Sequence, residues 1–362
     1  MRNESQFYQE KENKQISRFR ELCRNLPPYA SAYLQDRELA VKYSTLTAYA
    51  YDLQTFFQFF TEQNPLLKNS SIKDISPDFI NKLTEDDIME FQRYLRYHET
   101  SDNKVNKNDN KAIARKMAPV RGLLDYMVKK KYILTNVAKN VEMPKVKSPK
   151  VIKRLSNDAD NNEVERLLNG METILSNPSI SERQKKFLKK DYFRDNAILW
   201  LLLGTGIRIS ECEGLDVKDV DFENKCISVK RKGGFYDVVY FNEEVSVKLQ
   251  DYIDKEREQY LSQDTPVKDA DALFLSRKCR RLSVDALENL VEKYTLILLG
   301  RKFSPHKCRA TYGTTLYQKT NDIRLVADVL GHSNINTTAR HYAAQTEENK
   351  KRARSIDFTS KD

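Results

Sequence analysis

The chain of 362 residues contains 62 Lys and Arg against 52 Asp and Glu, which gives a formal net charge of +10 at pH 7. A domain usually holds about 100–200 residues, so we expect two domains, and this basic balance favours a polyanionic partner such as nucleic acid or an anionic membrane surface. The longest unbroken apolar run, Ala197 to Leu203, is far shorter than the roughly 20 residues of a bilayer helix, which excludes a membrane-spanning protein and predicts a cytoplasmic one.

The first predicted elements are amphipathic helices. Residues 29–61 carry apolar side chains at helical spacing, and Ser44 or Thr45 can cap the helix. The predicted buried stripe consists of Leu46, Tyr49, Leu53, Phe56, Phe57 and Phe60. A second helix is predicted at 83–98, where three acids follow Thr84. Acids at a helix N-terminus suit a capping box and the helix dipole, so we interpret them as helix-start chemistry and not as a catalytic carboxylate pair.

A third helix, at about residues 110–130, is the candidate DNA-facing surface of this half. Its outward basic residues are Lys111, Arg115, Lys116 and Arg121. An ordinary solvated helix face is the alternative interpretation, but the surrounding charge favours DNA. Residues 101–150 carry a net charge of +9, whereas residues 1–100 carry −2 and residues 151–362 carry +3.

A stretch with two prolines, residues 144–150 (PKVKSPK), follows this helix. The prolines prevent a helix and predict an extended linker. We therefore expect a domain boundary here, with a helical DNA-binding domain at 1–148 and a mixed domain at 149–362. Lys145 and Lys147 join the predicted DNA contacts.

The second half is predicted to mix helices with a small sheet. Helical patterns occur at 158–168, 185–203, 244–260, 283–299, 306–319, 322–330 and 347–355. Two short strands, 226–230 and 238–241, are joined by a turn that contains Gly233 and Gly234. The expected fold class of the whole chain is mainly α with a small β-hairpin, an α+β protein.

The cysteines and the N-terminal residues agree with a cytoplasmic protein. The five cysteines form no C-x-x-C pair and lie at no zinc-ligand spacing from a histidine, so we predict reduced, structural thiols. The first residues are polar and lack the apolar core of a secretion signal.

Two places in the second half put a cation at a turn. The segment 204–211 (GTGIRISE) interrupts an apolar helix with two glycines and opens the next helix with Arg208. A guanidinium at a helix N-terminus suits a phosphate; a structural pair between Arg208 and Glu211 is the alternative. Lys232 lies at the hairpin tip, where it can enter a groove and donate a proton, although most such lysines are merely solvated.

Histidines cluster towards the C-terminal end. His306 and Arg309 are three residues apart at the start of a predicted helix, so they share a face. The segment 330–333 (LGHS) contains His332, and Tyr342 follows ten residues later. Three of the four histidines of the chain lie beyond residue 300, which argues against random placement.

Together these residues comprise two Arg, two His, one Lys and one Tyr without a carboxylate cluster. No set of Asp or Glu is arranged to hold two metal ions, so two-metal phosphodiester cleavage is disfavoured. Cationic donors can instead neutralise a five-coordinate phosphorane while a tyrosine acts as the nucleophile. Such a reaction on DNA needs neither ATP nor a metal, and no cofactor is predicted.

In this order, the motifs GTGIRISE, RKGG, HKCR and LGHS with a following Tyr resemble the signature of the tyrosine site-specific recombinases, the phage-integrase family. The resemblance covers residues 150–345, and the helical half is similar to the core-binding domain of these enzymes. Within the family, the chain is most similar to the Xer group and its XerS type. The resemblance implies a catalytic second domain and a two-domain, C-shaped clamp around double-stranded DNA with a short inverted-repeat site.

The resemblance also implies which residues hold the scissile phosphate. Arg208 and Arg309 would bind it, and His332 would hold a non-bridging oxygen. Glu211 matches the acidic position that orients its neighbours. Arg231 stands where many members of the family have glycine, and it joins the predicted DNA contacts.

For the chemical step, the resemblance implies that Tyr342 attacks phosphorus and forms a 3′-phosphotyrosyl link. Lys232 would protonate the departing 5′ oxygen, and His306 would act as acid/base or hydrogen-bond donor. The family's usual spacing puts the nucleophile nine residues after the LGH histidine, where this chain has His341. Tyr342 is the only tyrosine after Tyr317, so it remains the predicted nucleophile.

The leading interpretation is a homotetrameric recombinase that exchanges strands through a Holliday junction. Its role would be chromosome-dimer resolution or the integration and excision of a mobile element, with a DNA translocase as a candidate regulator. A monomeric nicking–closing enzyme like a type IB topoisomerase is the first alternative. A catalytically decayed DNA-binding accessory protein is the second, and the intact residue set argues against it. We expect the segment 347–358 to dock on a neighbouring subunit.

Overall fold

The computed structural model describes residues 6–68, 70–99, 105–146, 154–158, 161–261, 269–332 and 334–342. In these ranges the chain is mainly helical with small antiparallel sheets, so the predicted fold class is confirmed. The chain divides into two compact units, Met1–Ser148 and Pro149–Asp362. None of the described helices combines the length and the apolar character needed to cross a membrane. Lys147 and the predicted C-terminal helix and docking segment lie outside the described residues.

The described part of the first unit contains six α-helices and a hairpin. The helices are α1 (Gln6–Cys23), α2 (Pro28–Gln35), α3 (Tyr43–Gln63), α4 (Pro77–Asn81), α5 (Glu85–Arg96) and α6 (Asn110–Lys129). The strands β1 (Tyr97–Glu99) and β2 (Val105–Lys107) pair antiparallel.

Aromatic side chains fill the core of this unit. Of the predicted stripe on α3, Tyr49 is half-buried and the other five residues are buried. The ring centroid of Phe56 lies 5.5, 5.1 and 5.0 Å from those of Phe57, Phe60 and Phe91, all in edge-to-face geometry. Such pairs add to the stabilisation from burial alone.

The helix starts follow the sequence signals in part. Thr84 Oγ1 accepts a hydrogen bond from the Asp87 N–H at 3.3 Å, and the Thr84 N–H donates to Asp87 Oδ2 at 2.7 Å, so the acids of α5 do form a capping box. The predicted caps of α3 are wrong, because the helix begins at Tyr43 without a side-chain cap. Helix α1 was not predicted, since it buries only Phe19, Leu22 and Cys23 and so shows little periodicity.

The second unit carries the remaining described elements. Its helices are α7 (Glu163–Thr173), α8 (Glu182–Lys189), α9 (Tyr192–Thr205), α10 (Ile209–Glu213), α11 (Glu243–Tyr252), α12 (Glu258–Leu261), α13 (Val284–Leu299), α14 (Pro305–Thr320), α15 (Ile323–Val329) and α16 (Ile335–Tyr342). A π-helical turn, Ile253–Arg257, joins α11 to α12.

Short strands complete this unit. The strands are β3 (Asn157–Asp158), β4 (Asn161–Asn162), β5 (Val220–Asp221), β6 (Cys226–Lys230) and β7 (Tyr236–Tyr240). Strands β5, β6 and β7 form one antiparallel sheet in that order. The hairpin β6–β7 ends with Lys230 paired to Tyr236, which leaves residues 231–235 as its turn.

Two predicted helices have different bounds in the structure. The helix expected at 158–168 begins five residues later, because Asn157–Asp158 and Asn161–Asn162 pair as the strands β3 and β4. The helix expected at 185–203 is divided between α8 and α9. At this break, the carboxylate of Asp191 accepts hydrogen bonds of 2.8 and 2.6 Å from Arg277, a side chain distant in sequence.

Helix α9 is the centre of the second unit. Ten of its fourteen residues are buried, and it packs against α11 and α14. The C-terminus of α9 leads into the glycine turn before Arg208, and α14 carries His306 and Arg309. The core therefore brings two of the predicted motifs to one end of the unit.

Candidate active site

The glycine turn that ends α9 places Arg208. Gly206 has a φ of 63°, a left-handed conformation that glycine adopts at little cost. A Cβ at this position would lie 2.4 Å from Cδ1 of Tyr312, so contact also excludes a side chain. The turn leads directly to Arg208, the N-cap residue of α10.

Glu211, from the first turn of α10, holds Arg208. Arg208 Nη1 donates to Glu211 Oε1 at 2.7 Å, and the Arg208 backbone N–H donates to Oε2 at 2.8 Å. The structural pair that the sequence left open as an alternative therefore forms. The Arg208 side chain is nevertheless 22% exposed, whereas that of Glu211 is 2% exposed. A buried carboxylate thus orients an arginine whose outer side is open to an anion.

Arg309 lies in the second turn of α14 and is buried. Its Nη1 donates to the carbonyl of Gly206 at 2.6 Å, and its Nη2 donates to the carbonyl of Leu330. The first contact binds the turn that precedes Arg208. The second binds Leu330, which is the C-cap residue of α15 and the first residue of the LGHS motif.

Arg231 opens the turn of the β6–β7 hairpin and points into the protein. Its side chain is 1% exposed. Nε donates to Asp237 Oδ2 at 2.9 Å, Nη1 to Glu211 Oε2 at 3.1 Å, and Nη2 to the carbonyl of Val329 at 2.8 Å. This placement corrects the expectation that Arg231 faces DNA. Its partners Glu211 and Val329 lie outside the hairpin, 20 and 98 residues away, so the hairpin sequence alone gave no sign of burial.

Three arginines converge on three successive backbone carbonyls. Arg231, Arg309 and Arg208 bind, in that order, the carbonyls of residues 329, 330 and 331. These carbonyls lie at the C-terminal end of α15, where unpaired carbonyls and the helix dipole attract cations. The next residue is His332. One short loop is therefore the common attachment point of the predicted phosphate-binding residues.

His332 is oriented from the following helix, α16. Its Nδ1 lies 2.8 Å from Oγ1 of Thr338, which is fully buried. Tyr342 is the last residue of α16 and follows Thr338 by four residues, about one helical turn. The helix that contacts His332 therefore also carries the predicted nucleophile.

Thr338 and the helix α16 were missing from the sequence prediction. The available signal was Asn334, whose Oδ1 accepts a hydrogen bond from the Asn336 N–H at 2.8 Å, a side-chain bond typical of helix starts. The helix has only eight residues, too few to show a clear apolar period.

Lys232 and His306 lie at the surface, next to the buried arginines. Lys232 follows Arg231 and is exposed in the hairpin turn, where Gly233 and Gly234 adopt φ values of 138° and 94°. His306 is exposed as the second residue of α14 and lies one turn before Arg309. Each of these two groups thus lies close in sequence to an arginine that binds the loop 329–331.

The cysteines near the site are buried. Burial raises the pKa of the Cys308 thiol to about 12, and it also raises the pKa of the Cys212 thiol above its ordinary range. Both thiols therefore stay protonated at neutral pH, which makes them poor nucleophiles. This agrees with the predicted structural role of the cysteines.

The basic residues predicted to contact DNA in the first unit fall into two groups. Lys111, on α6, and Lys145, beyond it, are exposed. Arg115 and Lys116 are instead tethered to Asp52, a buried residue of α3. Arg115 donates to both carboxylate oxygens at 2.8 and 3.2 Å, and Lys116 Nζ lies 3.5 Å from Oδ1.

Arg121 is committed to the fold. Its Nε donates to the carbonyl of residue 138 at 3.0 Å, and its Nη2 donates to that of residue 141 at 2.6 Å. These bonds connect α6 to the segment that follows it. The Arg115 side chain remains 52% exposed despite its contact with Asp52.

The chain is similar in sequence to known recombinases. Residues 158–349 match the Phage integrase family. The tyrosine recombinase XerC of Caldanaerobacter subterraneus subsp. tengcongensis is 30% identical over 307 residues, which cover 82% of this chain and 76% of that protein. The tyrosine recombinase XerS of Streptococcus agalactiae serotype III is 29% identical over 345 residues, which cover 89% of this chain and 93% of that protein.

The chain is also similar to a solved recombinase structure. The crystal structure of the XerH site-specific recombinase bound to its difH substrate, a pre-cleavage complex, matches with a TM-score of 0.56 and 25% identity. The match covers 86% of this chain and 79% of the XerH chain.

Proposed function

The chain belongs to the phage integrase family and is a tyrosine recombinase, and from this premise we propose that it cleaves and rejoins double-stranded DNA through a phosphotyrosyl link to Tyr342. The observation that carries the proposal is the attachment of Arg208 and Arg309 to the loop that continues into His332. Cationic and polar donors held in a fixed arrangement stabilise developing charge without reorganising during the reaction.

Arg208 and Arg309 are assigned to the scissile phosphate. Both guanidinium groups use some of their N–H donors to bind carbonyls of the loop 329–331. The Arg208 side chain also remains partly exposed. A guanidinium offers five N–H donors in a planar fork that matches phosphate oxygens. His332, held at Nδ1 by Thr338, is assigned to a non-bridging oxygen, and Glu211 keeps Arg208 in place.

The cleavage step exchanges one phosphate ester for another. The Tyr342 oxygen attacks phosphorus and forms an O–P bond, and its proton passes to a general base, a role assigned to His306. The P–O5′ bond breaks, and Lys232 gives a proton to the departing oxygen. The products are a 3′-phosphotyrosyl link and a 5′-hydroxyl, and attack by a 5′-hydroxyl reverses the step. The step as written uses neither ATP nor a metal ion.

We infer that the substrate is DNA with a short inverted-repeat site, bound by a homotetramer that exchanges strands through a Holliday junction. The similar XerH recombinase was solved with its difH substrate, and the +9 stretch at 101–150 attracts a DNA backbone. We propose chromosome-dimer resolution in the cytoplasm as its role, with a DNA translocase as a candidate regulator. Integration or excision of a mobile element is the other role that this chemistry serves.

A covalent-trapping experiment tests the nucleophile. The DNA is a nicked inverted-repeat duplex selected from a randomised pool by binding to the protein, and the readout is a protein–DNA adduct on a denaturing gel. Tyr342→Phe removes the attacking oxygen, so we expect unchanged DNA affinity and no adduct.

Tyr317→Phe is the matched control, because Tyr317 lies on α14 and has no assigned role; its adduct should equal that of the wild-type protein. An undiminished adduct with Tyr342→Phe would refute the assignment. Relaxation of supercoiled plasmids that lack the selected site would instead indicate a topoisomerase-like activity.

A further inference from the structure

The proposed acid, Lys232, lies in the hairpin turn directly after a buried residue, Arg231. Strand β6 ends at Lys230, Arg231 follows with a side chain that is 1% exposed, and Lys232 comes next and is exposed. The backbone N–H of Arg231 donates to the carbonyl of Phe235 at 2.9 Å, and its carbonyl accepts from the Gly234 N–H at 3.0 Å. The whole turn is thus built on Arg231.

The Arg231 guanidinium connects three separate parts of the unit. Nε binds Asp237 across the hairpin, Nη1 binds Glu211 on α10, and Nη2 binds the carbonyl of Val329 at the end of α15. Glu211 also binds Arg208. The arginine therefore joins the hairpin turn to the same carboxylate and the same loop that hold the proposed phosphate-binding residues.

Close packing confirms that this position is confined. A Cβ on Gly331 would lie 2.8 Å from Arg231 Nε and 3.0 Å from its Cζ. The backbone of the loop 329–331 therefore lies directly against the guanidinium. A lysine, a point charge on a flexible stem, cannot replace three hydrogen bonds that leave a planar group in three directions.

We propose that Arg231 is the positioning residue for Lys232, setting the hairpin turn at a fixed distance from the phosphate-binding loop so that Lys232 can protonate the departing 5′ oxygen. This inference rests on the function proposed above and assigns Arg231 no contact with DNA. A general acid must reach hydrogen-bond distance of the atom that it protonates, about 2.6–3.2 Å. A displacement of about 1 Å can cost on the order of 100-fold in rate.

Replacing the departing 5′ oxygen with sulfur separates proton donation from every other role. A thiol has a pKa near 8.5, far below that of an alcohol, so a thiolate leaves without a proton donor. The test compares rates of adduct formation on the selected duplex with an ordinary phosphodiester and with a 5′-bridging phosphorothiolate. We expect Arg231→Met to slow the ordinary substrate by roughly 10- to 100-fold and to cleave the sulfur substrate at about the wild-type rate.

A second variant keeps the experiment decisive if Arg231→Met folds poorly. Asp237→Asn weakens only the hairpin side of the contact and leaves the bonds to Glu211 and Val329. We expect a smaller defect on the ordinary substrate that sulfur also removes.

Two controls identify other causes. Arg257→Met removes a buried arginine that binds the carbonyl of Ala272 elsewhere in the unit, and it should change both rates by the same factor. Arg208→Ala removes a phosphate ligand, and sulfur should not rescue it.

The inference is overturned if Arg231→Met and Asp237→Asn slow both substrates equally, or if both cleave the ordinary substrate at the wild-type rate. If the wild-type protein forms no adduct with either DNA, the proposed function itself fails, which is a different result from a missing rescue.

Discussion

Gly331 is confined in two independent ways. Its φ is 60°, and a Cβ at this position would touch the Arg231 guanidinium. Gly300 has a similar φ of 72° at the end of α13, but a Cβ there would meet nothing within 4 Å. The two glycines therefore share a left-handed backbone conformation and differ in the contact that a side chain would make.

The comparison of Gly331 with Gly300 gives a prediction for the loop 329–331. Gly331→Ala and Gly300→Ala should each lower the free energy of unfolding by about 1–2 kcal/mol, since an L-residue is strained in the left-handed region. Only Gly331→Ala should slow adduct formation, because only there does the methyl group displace Arg231. Thermal unfolding and adduct rates measure the two effects, and equal adduct rates in both variants would contradict the contact argument.

The sequence identified the chemistry of single residues better than it identified their contacts. The motifs predicted that four residues of the site lie at turns and helix starts, because neighbouring glycines and a proline mark such places in the sequence. These residues are Arg208, His306, Arg309 and His332. Burial of Arg231 depends on partners up to 98 residues away, which no local pattern contains.

Helix α3 supplies the central aromatic residues of the first unit, and Phe56 is fully buried among three other rings. Phe56→Ala should therefore lower the stability of this unit by about 3–5 kcal/mol. Amide hydrogen exchange of α3 measures the change, since the single tryptophan, Trp200, lies in the second unit. Leu39→Ala, at a fully exposed leucine, should change protection by less than about 0.5 kcal/mol. Equal changes in protection in the two variants would contradict the packing of Phe56 in this core.

The break between α8 and α9 gives a prediction for pH. Burial alone would raise the pKa of Asp191, but hydrogen bonds from Arg277 and the charge of Arg194 outweigh it and hold the pKa below its ordinary value of 3.8. A carboxylate with a depressed folded pKa stabilises the protein above its unfolded pKa, and this contribution is lost as the pH falls through the folded value. Unfolding followed by Trp200 fluorescence should therefore show falling stability as the pH drops below about 4.

Removing Arg277, the partner of Asp191, should make the stability depend less steeply on pH. Arg277→Met raises the folded pKa of Asp191 towards its ordinary value, so less stability is lost over the same pH range. Lys186→Met, on the exposed side of α8, removes a nearby positive charge without that contact and should keep the wild-type slope. Identical slopes in all three proteins would show that Asp191 is not the titrating group.

Among the helices, long periodic segments were predictable and short ones were not. Helices α3, α5 and α6 were predicted because each buries a continuous apolar stripe. Helix α16 was missed, although it carries Tyr342, because eight residues contain barely two turns. The break before α9 was missed because it depends on a distant arginine.

For the whole molecule, the uneven charge predicts how DNA binding responds to salt. Each phosphate contact made by a basic residue contributes about −0.9 to the slope of log affinity against log salt. Lys111→Gln with Lys145→Gln should reduce the magnitude of that slope by up to about the contribution of two contacts. Lys232→Gln should reduce it by at most about the contribution of one contact. Titrations of the selected duplex at several salt concentrations measure the slopes.

A matched pair of charges provides the control. Lys186→Gln with Lys189→Gln removes the same charge from exposed positions on α8, which has no assigned DNA contact, and should leave the slope unchanged. If the two double variants flatten the slope equally, net charge and not the +9 stretch governs binding. Arg121 is left out of the design because its bonds to two carbonyls make it part of the fold.

Composition and motif order were enough to predict an α+β chain of the recombinase family. They also predicted a positive DNA-facing helix. They did not predict that three of its four basic side chains bind Asp52 or backbone carbonyls. A charge count gives the number of basic side chains in a segment. Whether these side chains face DNA or bind within the protein depends on the acceptors that folding brings near them.

The attachment of three arginines to the loop 329–331 also bears on how this protein can diverge. Because Arg208 and Arg231 share Glu211 and all three arginines share one loop, the effects of substitutions within this group will not add. A change at Arg231 that is damaging alone should be better tolerated when its partner Asp237 changes with it. Lineages should therefore exchange Arg231 and Asp237 together, so a recombinase with glycine in place of Arg231 should also differ at Asp237.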